Sequence, residues 1–536
     1  MKKALRILAA IAAPVPILAG VVLANSANAA GTNAVPLVTI PHNVNPAVTG
    51  STKIGDMAAN DTMSFAVSLK LHNEAGLHQF LNQVSDRTSS LYHHYLTPAQ
   101  FTAKYGPSTQ DVATVTNFLK SQGLHVKDVS ANRQVVDATG SVSTVDKAFA
   151  THIGTYKQGS RQFYANATAP ALPSDVAGVV QGIAGLDNHA LRHSTAIPNA
   201  HPKAVDGFTP PQLRTAYDTS SLGTGSGQTV ALWEFDGYQG SNIATYDSQF
   251  GIGASAPETV SVDGANFDSS PGDGQGEVEL DIELVQAMAP AASTLVYEAP
   301  NSDQGQIDMA NQIASEDRVS VTSISWGECE ADSSSATLSA TDDALAQGSA
   351  EGISWYAASG DSGSADCSDG STGVDSPASD PNVSGAGGTT LTTGANGSYG
   401  SERAWDGSGG GHSNTFATPS YQNDPSGARA VPDVSLDADP NTGYAIFSAG
   451  QWEVFGGTSC AAPMWAGFTA LYDGESGSNL GNGNSAFYSI AAGPNYGSAF
   501  HDITSGSNGG FDAGTGYDAV TGLGSYDGAG LAAALG

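Results

Sequence analysis

No lysine follows Lys203 in this chain of 536 residues, and beyond it stand only four arginines, Arg214, Arg318, Arg403 and Arg429. The same stretch holds 42 of the 52 aspartates and glutamates, which is why the whole chain's net charge is −33. A surface so poor in cations cannot neutralise phosphates, which excludes nucleic acid and anionic membranes as partners of the back part. Histidine is almost as scarce there: ten of the twelve lie at or before His201, leaving His412 and His501. Past the first thirty residues no apolar run is long enough to cross a bilayer. Cysteine is limited to three positions, enough for one disulfide and one thiol. Cys329 and Cys367 each follow a predicted strand and are expected to pair. Cys460, set among alanines, is expected to be a small buried filler.

The front of the chain is different in kind. Lys2, Lys3 and Arg6 precede an apolar stretch over 7–23, and Ala27-Asn28-Ala29 gives a small-x-small cleavage pattern. Residues 1–30 therefore read as a secretory signal peptide, and the protein is expected to be secreted. The length requires at least two further folding units. Residues 31–60 are polar and rich in Pro and Asn, and are expected to be loosely structured. From Met63 strand and helix patterns alternate to about Asp187, as in an antiparallel α+β unit. A polar, proline-containing stretch over 189–204 is expected to be an exposed linker open to proteolysis.

Beyond the linker, apolar β-branched segments at 229–233, 293–297, 319–326 and 353–357 alternate with helical ones at 241–250, 277–289, 304–314 and 335–350. Such alternation demands crossover connections and a parallel sheet covered on both faces. Ligands of these sheets bind at the C-terminal ends of the strands, which here carry Glu234, Trp326 and Ser359-Gly360-Asp361-Ser362-Gly363.

Four clusters carry chemistry. Gly456-Gly457-Thr458-Ser459 reads as a tight turn opening a helix, with Pro463 placed in its first turn. There Ser459 can present its hydroxyl where the helix N-terminus faces developing negative charge, although a plain Ser/Thr cap reads the same way. A nucleophilic serine needs a base, and neither His412 nor His501 opens a helix after a turn. Glu277 and Asp281 lie four apart on one face of a buried helix and can share a proton. Their mutual repulsion raises one pKa, giving a base usable in acid, where histidine would be protonated. The dipole of a helix N-terminus alone would also favour these acids, Glu279 and Glu283 included. Asp361, when neutral, could donate a hydrogen bond to an oxyanion; its alternative is a turn aspartate. Asp502-Ile503 and Gly514-Thr515-Gly516-Tyr517-Asp518 offer carboxylates and bare backbone suited to Ca²⁺.

In that order and combination the motifs resemble the sedolisin (serine-carboxyl peptidase, pro-kumamolisin) family, over nearly the whole chain. The resemblance implies an α/β fold, a subtilisin-like parallel sheet flanked by helices and preceded by an antiparallel α+β prodomain. It implies an activation propeptide over 31–200, folded over about 63–187, and a peptidase domain over 201–536. Ser459 would be the nucleophile, Glu277 the base, Asp281 its partner and Asp361 the oxyanion donor. One Ca²⁺ would be held by the side chains of Asp502 and Asp518 and the carbonyls of Ile503, Gly514 and Gly516. Glu234 and Trp326 stand where some members extend the proton network. The expected protein is a monomeric acid endopeptidase of polypeptides, made as a self-processing zymogen with its propeptide as intramolecular inhibitor. Tripeptide removal from N-termini and an inactive, calcium-stabilised binding homologue are the alternatives. The charge asymmetry adds an expectation: the mildly basic propeptide docks at neutral pH, and its histidines, charging near about pH 6.5, loosen it on acidification.

Overall fold

The apolar segments beyond residue 228 assemble into a helix-flanked parallel sheet in the computed structural model, which describes residues 35–199, 205–367 and 369–536. The expected signal peptide and residues 200–204 of the linker lie outside the described residues. The sheet comprises β1 (Thr229–Glu234), β2 (Glu258–Ser261), β3 (Ser293–Glu298), β4 (Val321–Ile324), β5 (Ser354–Ala358), β6 (Ser384–Thr393), β7 (Tyr399–Ala404) and β8 (Val434–Asp437). Their spatial order is β2-β3-β1-β4-β5-β6-β7, with β8 also paired to β6; β7 alone runs antiparallel to its neighbour.

Side chains alternate across the sheet. Val230 and Leu232 enter one core, with helices α1 (Gln275–Met288) and α4 (Thr458–Ser476). Ala231 and Trp233 enter the other, with α2 (Asp303–Glu316) and α3 (Ser335–Glu351). Helix α1 is buried from Glu277 to Met288. Its acids are therefore more than dipole partners: Glu279 accepts from Gln239 N (3.0 Å) and Asn242 Nδ2 (2.8 Å), and Glu283 from Phe447 N (2.9 Å). These bonds clamp the helix to flanking segments. Cys329 and Cys367 are bridged, a loop closure worth about 4 kcal/mol in the chain-entropy account; Cys460 is buried and free.

The front unit is built on a four-stranded antiparallel sheet with the spatial order His125–Val129, Val135–Ser141, Thr62–Leu69, Val180–Ala184. Order begins well before Met63, contrary to expectation. Leu37–Thr39 pairs with Ala171–Pro173, and Thr52–Asp56 joins Ile153–Gln158. Buried asparagines tie this polar segment down. Asn43 gives its amide N–H to Ile183 O and takes Ile183 N–H, each at 2.8 Å, and Asn45 Nδ2 reaches Asp187 Oδ1 (3.0 Å). Hydrophobic periodicity cannot register such anchors.

This sheet lies on α2 and α3. Ala66, Val135 and Ala184 pack with Ile307 and Ala340, and Leu77, Phe80 and Phe101 with Ala346 and Ala350. Asn132 Nδ2 bonds Asn311 Oδ1 (2.7 Å) and Gln347 Oε1 (2.9 Å) across the same contact. The linker is a second correction. Through Asn199 it is not an exposed strap: two short strands, His193–Ser194 and Ile197–Asn199, pair with the chain at Trp326 and Gly327 and at Val454–Gly456, and Arg192 and Thr195 are buried.

Candidate active site

Helix α4 begins at Thr458, because Gly457 adopts φ +103°, a turn that a residue with a Cβ resists. Pro463 consequently falls in the second turn rather than the first. Its missing N–H would have served the carbonyl four residues back, that of Ser459. The Ser325 hydroxyl stands 3.4 Å from that carbonyl instead.

Ser459 Oγ donates to Glu277 Oε2 at 2.9 Å, which joins the first turns of α4 and α1. Ser325 Oγ donates to Asp281 Oδ1 (2.8 Å), and Trp326 Nε1 donates to Glu234 Oε2 (2.7 Å). No N–H or hydroxyl donor among the described residues reaches Glu277 Oε1, Asp281 Oδ2 or Glu234 Oε1. A proton shared between Asp281 and Glu234 meets the need of those two carboxyls. Burial drives all three pKa values up. Glu277 reaches about 7 despite bonds from Ser194, Ser459 and Ala196 that oppose the rise. Asp281 is pushed well above the carboxylate range by burial and then by the charges of Glu234 and Glu277, and it donates to Glu234. Glu234 also stands well above its ordinary value, again chiefly through burial.

On the other side of Ser459, Asp361 Oδ1 accepts Thr458 N–H (2.7 Å) and Thr458 Oγ1–H (2.9 Å), while Oδ2 is buried with no donor among the described residues. Burial lifts this carboxyl well above its usual pKa. A neutral Asp361 would carry its proton on Oδ2, the oxygen left free.

The linker passes between these groups. His193–Ser194 pairs antiparallel with Gly327 and Trp326, and Thr195 N donates to Ser325 O (3.3 Å). Ile197–Asn199 then pairs antiparallel with Val454–Gly456. Between the two pairings, Thr195 Oγ1 lies 2.6 Å from Ser459 Oγ, and Ala196 N donates to Glu277 Oε2 (2.9 Å). A Cβ on Gly457 would overlap the Thr195 carbonyl oxygen and stand 2.5 Å from Asp361 Oδ2. The carbonyl of the Thr195–Ala196 peptide thus faces Asp361, and its nitrogen faces Glu277.

His412 bonds Asp424 (3.2 Å) and His501 stacks on Tyr399, so each has its own partner away from Ser459. Of the residues singled out in the sequence, Ser459, Glu277, Asp281, Asp361, Glu234 and Trp326 converge at these strand ends. Ser325 was missed, and so was the part played by the linker. The run Ser323-Ile324-Ser325-Trp326-Gly327, whose end is a strand edge, was the available signal for Ser325.

Asp502, Ile503, Gly514, Gly516 and Asp518 gather elsewhere. Asp502 Oδ1 accepts Gly516 N–H (3.0 Å) and Asp518 Oδ2 accepts Gly514 N–H (2.9 Å). A Cβ on either glycine would meet nothing within 4 Å, so the loop backbone there borders open space. Two carboxylates on bare backbone are the hard oxygen donors that Ca²⁺ takes.

Comparison with known proteins gives consistent results. The pattern described as "Pro-kumamolisin, activation domain" matches residues 49–189, and that of the subtilase family matches 264–478. The chain is 34% identical to sedolisin of Pseudomonas sp. (strain 101), over 89% of this chain and 88% of that protein. It is 32% identical to kumamolisin of Bacillus sp. (strain MN-32), over 84% and 88% respectively. A tripeptidyl-peptidase of Aspergillus fumigatus is 27% identical over 81% of this chain and 86% of that protein. The solved structure of Pseudomonas sedolisin, a serine-carboxyl proteinase complexed with pseudo-iodotyrostatin, superposes with a TM-score of 0.57 at 33% identity. It covers 62% of this chain and 98% of its own.

Proposed function

The chain belongs to the sedolisin family of serine-carboxyl peptidases, and on that premise we propose that it is the secreted zymogen of an acid-acting endopeptidase that cuts its own linker between Thr195 and Ala196. The observation that carries this reading is the position of Glu277 Oε2, which is 2.9 Å from Ser459 Oγ and 2.9 Å from Ala196 N. One oxygen touches both the attacking hydroxyl and the leaving nitrogen.

The steps follow from that placement. Glu277 takes the Ser459 proton as Oγ bonds to the Thr195 carbonyl carbon. The carbonyl oxygen becomes an oxyanion, held by the neutral Asp361 carboxyl. Glu277 passes the proton to Ala196 N as the C–N bond breaks, leaving an acyl-enzyme on Ser459. Water, deprotonated by Glu277, releases the acyl group and the proton returns to Ser459. Asp281, linked to Glu234 and through it to Trp326, keeps Glu277 among neutral carboxyls so that it can cycle between its two states. Other polypeptides would follow the linker into the same cleft once the propeptide leaves.

An endopeptidase is supported by how much chain the cleft admits. Four residues, Arg192 to Thr195, lie in it before the bond, and the chain continues into the front unit. A site closed three residues before the bond would not accommodate them. One Ca²⁺ at Asp502, Ile503, Gly514, Gly516 and Asp518 would stiffen the C-terminal loops and take no part in the chemistry. Secretion rests on the leader pattern of residues 1–30.

Acidifying the purified full chain and its Ser459→Ala variant tests the reading. Mass spectrometry should find a new N-terminus at Ala196 in the wild type and an intact variant. Equal processing of both would sink it.

A further inference from the structure

Arg192 lies four residues before the Thr195–Ala196 bond, and its guanidinium is wholly buried in the cleft. Its Nη2 donates to Asp303 Oδ1 (2.6 Å) and meets Glu328 Oε1 (3.0 Å), and its Nε donates to Gln306 Oε1 (2.5 Å). The backbone is held separately. Arg192 N donates to Asn301 Oδ1 (3.1 Å), and Asn301 Nδ2 donates to Arg192 O (2.7 Å). One amide therefore grips the main chain of any residue at this position, while three other groups read its side chain.

Those groups stay behind when the propeptide leaves. Asp303 and Gln306 sit in the first turn of α2, and Glu328 lies on the strand Trp326–Cys329. They are also oriented from within the peptidase domain: Gln306 Nε2 bonds Thr341 Oγ1 on α3 (3.1 Å), and the Ser333 hydroxyl bonds Glu328. Fixing the amide this way aims its oxygen at the guanidinium. Among the described residues, no cation of the peptidase domain takes the place of Arg192. Arg429 pairs with Asp433, Arg318 with Glu258, Arg403 with Asp439, and Arg214 is bonded to backbone carbonyls. On either side of Arg192, Leu191 and His193 are exposed, so the buried side chain at this position is the one the domain reads there.

Resting on the peptidase reading above, we propose that Asp303, Glu328 and Gln306 form a subsite that selects arginine at the fourth residue before the bond cleaved in other polypeptides. The planar guanidinium supplies an Nε donor for Gln306 and an Nη donor for the carboxyls at once. Lysine, with a single nitrogen on a flexible stem, cannot reproduce that fork. The occupant of the zymogen is thus a template for substrate.

The test is a set of octapeptides, Xaa-His-Ser-Thr-Ala-Ile-Pro-Asn, blocked at the N-terminus and given to the processed wild-type enzyme. With Xaa as arginine, kcat/KM should exceed that with glutamine by about tenfold or more, the worth of a charge-assisted contact, with lysine between. In the double variant D303N/E328Q the arginine-to-glutamine ratio should fall toward one, a ratio unaffected by partial loss of active protein. Equal turnover of the arginine and glutamine peptides by the wild type would overturn the subsite and leave the peptidase reading intact. Failure to cut any peptide would overturn both.

Discussion

Thr458 gives Asp361 Oδ1 both its backbone N–H, at 2.7 Å, and its hydroxyl, at 2.9 Å. Oδ1 is saturated as an acceptor, so a proton bound by this carboxyl resides on Oδ2, beside the Thr195 carbonyl. Asparagine at 361 reproduces the neutral acid: its oxygen accepts from Thr458 and its NH₂ donates where Oδ2–H did. Asp361→Ala should cost on the order of 10²–10³ in kcat, about 2.7–4 kcal/mol, the worth of one oxyanion donor. Asp361→Asn should retain much of that and should stay active to higher pH, since an amide does not ionise. Comparing pH–rate profiles of the three proteins settles the point. Alanine and wild type with the same kcat would remove Asp361 from the mechanism.

Gly457 is held by space as well as by dihedral angle. An added Cβ would overlap the Thr195 carbonyl oxygen and crowd Asp361 Oδ2 at 2.5 Å, at a φ of +103° that L-residues avoid. Gly457→Ala should therefore block self-processing by displacing the linker carbonyl from Asp361. The measurement is the time course of Ala196 appearing as an N-terminus, alongside near-ultraviolet circular dichroism to follow folding. A folded variant processed at the wild-type rate would show that the carbonyl does not need this place.

The parallel sheet was legible because β-branched runs and helical spacing alternate without ambiguity, and the carboxylates of the site were legible because Glu277 and Asp281 fall four apart. What the sequence hid were contacts between distant segments. Nothing in the composition of residues 31–60 shows that Asn43 caps a strand end 140 residues away. Nothing around Arg192 shows that its partners are Asp303 and Glu328. Polarity was read as exposure in both places, whereas these polar groups are buried in pairs. Pro463 was misplaced by one turn because the helix already begins right after Gly457.

Calcium should act on stability alone. With Asp502 and Asp518 as ligands, chelation should lower the melting temperature of the processed enzyme, and added Ca²⁺ should restore it through binding to the folded state only. Asp518→Asn should abolish the response. A melting temperature indifferent to chelator and to Ca²⁺ would argue that backbone bonds alone hold these loops.

The structure redistributes the expected response of the propeptide histidines to acid. His72 pairs with Asp111 and His152 with Asp56 and Asp146. The bonds to Asp56 and Asp146 raise the pKa of His152, so charging it holds the propeptide together. His189 is the opposite case. It is buried between Gln158 Oε1 and the Asp332 carbonyl, and burial lowers its pKa. A depressed histidine favours the folded arrangement above its unfolded pKa near 6.5 and opposes it as pH falls. Across the same interface Asp137 reaches about 7 through burial and then the charge of Asp263, so acid relieves repulsion there. His189→Gln should shift self-processing to lower pH, whereas His152→Gln should shift it upward or leave it in place. If the His189 variant processes with an unchanged pH dependence, acid loosens the propeptide through other groups.

Buried carboxyls should make this zymogen more stable in acid than at neutrality. Burial holds Glu277, Glu328 and Asp187 at about 7 and Asp366 at about 6, and it pushes Asp281 and Asp361 well above the usual carboxylate range. In the unfolded chain the same groups titrate near about 4. A carboxyl with a raised folded-state pKa contributes stability that is complete below about pH 4 and is lost as pH rises through the folded value. The loss should therefore run from about pH 4 to about pH 7, amounting to at most a few kcal/mol for each group. Self-repulsion at a net charge of −33 acts in the same direction. The Ser459→Ala protein, which cannot digest itself, is the one to melt across that range. Its melting temperature should fall steadily between pH 4 and pH 7. A rise instead would mean that these groups are ionised in the folded protein, and an ionised Asp361 could not donate to an oxyanion.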